Sequence, residues 1–190
     1  LRGPYGHIGA EAVDTPEHRA LAAEAAAQSL VLLKNNAERA LPLERTSART
    51  VAVIGPLADD GPNQLGNYNG VPPVLSSVLD GVRAHAATVA FSDGRDVAAA
   101  ARLASDGNVG AVVLVVGLRS EAGAGSVQVE QREAGVVIDE AEGHDRTSLL
   151  LPHNQSELIR AVAASAPPRA PVVLVLISGG SLDVSAFDEP

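Results

Sequence analysis

Six charged or titratable side chains fall within the eight residues 139–146: Asp139, Glu140, Glu142, His144, Asp145 and Arg146. An acidic cluster with a built-in cation admits two readings. In one it is a solvated loop in which Asp145 pairs locally with Arg146. In the other, one glutamate is a general acid. Glycoside hydrolysis needs a protonated carboxyl at the leaving oxygen and a second carboxylate near the anomeric carbon, about 5–5.5 Å away in the retaining geometry. Carboxyls held close together raise one another's proton affinity, which suits one of a pair such as Glu140 and Glu142 to that work. His144 with Glu140, Glu142 and Asp145 can also be drawn as a metal site. The histidines at 7, 18, 85, 144 and 153 have no paired-ligand spacing, however, and no metal is expected.

Other chemistries lack their residues. Cysteine is absent, which removes thiolate metal sites, a cysteine nucleophile and any disulfide framework. Neither a G-x-G-x-x-G nor a Walker A sequence occurs, and Pro56 removes an N–H where a phosphate cradle would need one, so no nucleotide or other cofactor is expected. Ser178 and Ser181 flank Gly179-Gly180 with the wrong spacing for a nucleophile elbow; the two glycines read as a tight strand exit.

The chain has 190 residues and 14 Lys+Arg against 23 Asp+Glu, a net charge of −9 that argues against a nucleic-acid partner. Tyr5, Tyr68, Phe91 and Phe187 are the only aromatics, few for a sugar- or base-stacking surface. No apolar run approaches 18 residues and no basic-then-apolar leader is present, so neither a membrane span nor a signal peptide is read here. Leu1 is not a natural start, and a longer protein is expected around this chain.

The elements that must position the cluster alternate along the chain. Residues 1–14 read as an extended arm. Thr15-Pro16-Glu17 starts a helix through the Ala-rich 17–29, and the apolar 30–33 either extends it or forms a short strand. Strands are expected at 50–54, 88–91, 111–116 and 171–177, with helices at about 74–84, 96–105 and 155–164. Asn154 and Glu157 have capping-box spacing for the last helix. Near-continuous apolar strands alternating with helices imply an α/β fold with an open, mostly parallel sheet covered on both faces. Residues 119–139 stand out as a Gly/Ala/Glu/Gln-rich excursion between a strand and the next helix.

Eight segments, in order, resemble the second domain of glycoside hydrolase family 3: HRALAAEAAAQSLVLLKN (18–35), ALPL (40–43), VAVIGPLA (51–58), LGNYNG (65–70), VVLVVGL (112–118), EAEGHDRTSLLLP (140–152), NQSELIRAVA (154–163) and VVLVLISGGSLDV (172–184). LGNYNG and EAEGHDR look most like the β-xylosidase / α-L-arabinofuranosidase branch. The resemblance implies a linker arm at 1–14 leaving an N-terminal (β/α)₈ barrel, and an α/β-sandwich domain at 15–190, truncated at its C-terminal end. It implies a retaining, exo-acting β-xylosidase that releases xylose from xylo-oligosaccharides. The barrel, the partner this chain lacks, would supply the Asp nucleophile, and Glu140 would take the acid/base position. Glu142 would tune it or touch sugar, Asp145 and Arg146 would brace the loop, and the isolated chain would be inactive. A secreted or cell-wall location follows from the same likeness. Family members have only about four residues where this sequence has 21 between Leu118 and Glu140, so the excursion either repositions Glu140 or folds away from it. The alternatives are a β-glucosidase of the same family, a non-catalytic accessory or binding module, and a free-standing doubly wound ligand-binding domain.

Overall fold

β-branched side chains fit a pleated surface buried on both sides, and the apolar runs accordingly become strands. The structure is a computed structural model describing residues 3–35, 40–43, 49–65, 69–120, 138–141, 143 and 145–187. Strands β1 (Thr50–Ile54), β2 (Val89–Ser92), β3 (Val109–Gly117) and β4 (Val172–Ile177) form one sheet, ordered β2-β1-β3-β4. Every pairing is parallel, with Val53 beside Phe91 and Val113, and Leu114 beside Leu174. This is the open parallel α/β sheet expected from the alternation of elements.

Side chains alternate across a strand, so the sheet has two cores. Ala52, Ile54, Val112, Leu114 and Val116 face one of them, where Ala100, Leu158 and Val162 also pack. Val53, Val113 and Val115 face the other, with Leu57, Ala58 and Leu79. The helices α3 (Val97–Ala104) and α4 (Gln155–Ser165) cover the first face. In α4 the buried residues Gln155, Leu158, Ile159 and Val162 follow helical spacing, one stripe turned to the sheet. The short helix α2 (Val78–Arg83) covers the second face through Leu79.

Three expectations about helices need correction. The helix expected at 74–84 is only α2, because Ser77 starts it with a reciprocal capping box: Asp80 N–H donates to Ser77 Oγ at 3.1 Å and Ser77 N–H to Asp80 Oδ2 at 3.0 Å. Those bonds from Ser77 hold the Asp80 carboxyl below the usual carboxylate range. At α4 the Asn154 side chain caps nothing; its amide reaches instead toward the Arg95 carbonyl at 3.4 Å. Residues 30–33 neither extend the first helix nor form a strand.

The chain divides into two compact units, Leu1–Leu41 and Pro42–Pro190, and the sheet belongs to the second. In the first unit, helix α1 spans Pro16–Ser29. Thr15 caps it by accepting from His18 N–H at 3.3 Å, as the sequence predicts. Asn35 ties back to Leu41 through two bonds, of 2.9 and 3.2 Å.

Candidate functional site

In open parallel sheets ligands sit beyond the carboxyl ends of the strands, at the point where strand order reverses. Here that point lies between β1 and β3, and the protein's own side chains fill it. Arg119, just past β3, donates from Nε to Asp60 Oδ2 at 2.9 Å and from Nη2 to the Pro56 carbonyl, both in the segment after β1. Asn63 spans the same gap, donating to the Leu118 carbonyl at 3.0 Å and accepting from Ser120 N–H at 3.1 Å. The Pro56 carbonyl thus takes a guanidinium where a nucleotide-binding fold would present a phosphate cradle.

One strand over, the end of β3 is shaped by a glycine and an amide. Gly117 has φ +139, and a Cβ there would stand 1.8 Å from the Ile177 carbonyl oxygen, so no other residue fits without displacing β4. β1 pairs with β3 only as far as Leu114, so among the described residues Gly117 has no strand partner on that side. The buried Gln155 substitutes for one: its Oε1 accepts from Gly117 N–H at 2.7 Å and its Nε2 donates to Gly117 C=O at 2.9 Å.

Beyond this edge stands Glu140. Its N–H donates to the Arg119 carbonyl at 3.2 Å, the Asp139 N–H shares that carbonyl at 2.9 Å, and Ser120 and Glu140 form an isolated parallel bridge. The Glu140 carboxylate is 22% exposed, and its Oε2 accepts from Arg146 Nε at 2.9 Å. Arg146 is itself anchored, donating to the Ser148 carbonyl at 2.9 Å and the Ser181 carbonyl at 2.7 Å. A Cβ on Gly179 would lie 3.3 Å from Glu140 Oε1, so the exit of β4 passes close beside the carboxylate. Asp183 N–H bonds the Leu149 carbonyl at 2.8 Å, knitting the Arg146 segment to the exit of β4. Hydrogen bonds from the Ser185 side chain and N–H hold the Asp183 carboxyl below its ordinary range. The arrangement is one carboxylate oriented by a fixed cation beyond the carboxyl ends of the strands.

The structure therefore brings Glu140 and Arg146 together and leaves Asp145 exposed, which corrects the expected local pairing of Asp145 with Arg146. Successive side chains along an extended segment point apart, whereas residue 146 can fold back on residue 140. Glu142 and His144 lie outside the described residues. Among the described residues no group of three His, Cys, Asp or Glu side chains could hold a metal. Sequence reasoning places Asp139 in the acidic cluster without giving it a role, and it does not single out Arg119, Asn63, His153 or Gln155. The available signal was that Arg119 and Asp139 flank the excursion as an opposite-charge pair; nothing local marks Asn63 or Gln155.

Comparison with known proteins adds the relatives. A family model described as "Glycosyl hydrolase family 3 C-terminal domain" matches residues 30–190. A protein named Beta-D-xylosidase 1 from Arabidopsis thaliana is 41% identical over 96% of this chain and 22% of its own length. Beta-xylosidase/alpha-L-arabinofuranosidase 1 from Medicago sativa subsp. varia is 38% identical over 96% of the chain and 22% of its own length. Among solved structures, a GH3 exo-β-xylosidase in complex with a xylobiose aziridine activity-based probe superposes with a TM-score of 0.72 at 28% identity, over 91% of this chain and 20% of that one. A β-glucosidase from Listeria innocua in complex with isofagomine gives 0.70 at 26% identity, over 98% and 24%. The chain thus spans about a fifth of the length of the relatives it matches.

Proposed function

The chain belongs to glycosyl hydrolase family 3 as its C-terminal domain, and from that membership we propose that it supplies the acid/base glutamate, Glu140, of a retaining, exo-acting β-xylosidase. The observation that carries the reading is the Glu140 carboxylate itself, held on one oxygen by Arg146 and bordered by Gly179 beyond the carboxyl ends of the strands. In the first step Glu140 protonates the glycosidic oxygen as the shortened oligosaccharide leaves and the terminal xylosyl unit passes to the nucleophile. In the second it removes a proton from the water that attacks the glycosyl-enzyme intermediate.

The nucleophile comes from another domain. Among the described residues, the Asp139 side chain is 5% exposed and bonded through both oxygens, and Asp60 is tied to Arg119. Neither is available to attack an anomeric carbon. A barrel elsewhere in the protein fits the five-fold greater length of the relatives. Xyloside is favoured over glucoside by the names of the sequence relatives, since the two kinds of solved enzyme superpose almost equally well.

The test uses the enzyme in which this domain stands beside its barrel. Glu140→Ala should lower kcat on xylobiose by about 10²–10⁴-fold, the usual share of general acid–base catalysis. The loss should shrink on aryl xylosides whose leaving group needs no proton, and added azide should restore turnover, because an anionic nucleophile needs no base. The 190-residue chain alone should hydrolyse none of these. Undiminished activity in the variant, or xyloside hydrolysis by the chain alone, overturns the proposal. Parallel rates on aryl xyloside, arabinofuranoside and glucoside decide the sugar.

A further inference from the structure

Glu140 reaches its place after the 21-residue excursion 119–139, a connection far too long to fix a side chain by its own shortness. Something else must set the position, and the described residues at the base of the excursion show what does. Asp139 is buried at its side chain and bonded on both oxygens: Oδ2 accepts from Arg119 N–H at 2.8 Å and Oδ1 contacts His153 Nε2 at 2.9 Å. The Arg119 carbonyl takes the N–H groups of both Asp139 and Glu140, and the Arg119 guanidinium is moored to Asp60 and Pro56. His153 has φ +55, a backbone conformation uncommon outside glycine that persists where the surroundings enforce it, and it directs its ring at Asp139 from the entrance to α4.

We infer that Asp139 is a positioning residue: with Arg119 and His153 it forms a clasp that closes the neck of the excursion and sets where Glu140 meets Arg146. The clasp joins three places that the sequence keeps apart, namely the exit of β3, the Glu140 segment and the start of α4. Asp139 touches no reacting atom in this scheme; it acts through the backbone it holds. Its value to catalysis rests on the acid/base reading of Glu140, while the geometry it sets does not.

The experiment observes the clasp's product in the 190-residue chain. The Arg146 Nε–H signal in a ¹⁵N-labelled sample, assigned with Arg146→Lys, reports the bond to Glu140. Asp139→Ala should move that signal to the position of a solvated guanidinium while the dispersed amide signals of the sheet stay in place. Asp139→Asn keeps an acceptor for Arg119 N–H and should restore most of the wild-type signal. His153→Ala removes one of the two side-chain bonds and should produce an intermediate shift, so the inference remains testable if Asp139→Ala does not fold. An unmoved Arg146 signal in Asp139→Ala, or in His153→Ala where the first variant is unfolded, overturns the clasp. In the barrel-bearing enzyme, Asp139→Ala should lower kcat at least ten-fold with little change in KM, and Asp139→Asn should recover it. If the Arg146 signal moves and kcat does not, the clasp stands and the acid/base assignment of Glu140 falls.

Discussion

A buried backbone group without a partner costs about 1–3 kcal/mol, and Gln155 satisfies two of them at Gly117. Gln155→Leu keeps most of the volume and removes both bonds, so it should lower the unfolding free energy by roughly 2–4 kcal/mol. Urea unfolding should show this as an earlier midpoint with an unchanged slope. A loss below about 0.5 kcal/mol, within the range of ordinary surface substitutions, would mean that water replaces the amide. At this scale the sequence reveals chemistry better than pairing. Glu140 and Arg146 stand out because their cluster is contiguous, yet the partner of Arg146 is Glu140 and not its neighbour Asp145. Gln155 to Gly117 and Asn63 to Leu118 span 38 and 55 residues. No local pattern encodes such bonds, because strand order, and not spacing along the chain, brings the two groups together.

Elements are more legible than side-chain partners. Each of the four expected strands is present within one or two residues of its predicted bounds, because a two-sided parallel sheet demands uninterrupted β-branched runs. Where helix limits differ, a polar side chain decides: Ser77 delays α2 until its capping box can form. The excursion raises a question of path. Ser120 and Glu140 bridge in parallel, and parallel segments need a connection of about a dozen residues or more to bring the chain back in the same direction. Replacing 121–137 with about four residues, a common connection length, should therefore abolish that bridge. The short connection should then hold Glu140 unaided, so Asp139→Ala should no longer move the Arg146 Nε–H signal. Equal displacement in the long and shortened chains would separate Asp139's effect from excursion length and show that it acts through a different route.

For the chain as a whole, composition and surface pull in opposite directions. A net charge of −9 keeps copies apart, whereas Leu30, Val31, Leu32 and Leu33 are 64–79% exposed in a row. Fully burying a side chain of this kind is worth about 1.5–3 kcal/mol, so even partial burial of four favours association. Among the described residues β4 also has an edge with no strand partner, and its Val-Val-Leu-Val-Leu-Ile sequence lacks the charges that usually protect such an edge. The isolated chain should self-associate, and added salt should strengthen the association by screening like-charge repulsion while leaving apolar contact intact. Sedimentation velocity at low and high ionic strength measures both. Leu30→Glu with Leu32→Glu should return the chain to monomer, because the pair places charge in the middle of the run. Val173→Lys should have a smaller effect, since β4 is already half-buried and has less area left to cover. A chain that stays monomeric at every concentration tested would show that the exposed run is too poorly shaped for self-contact. Association that weakens with salt would instead identify ion pairs as its source.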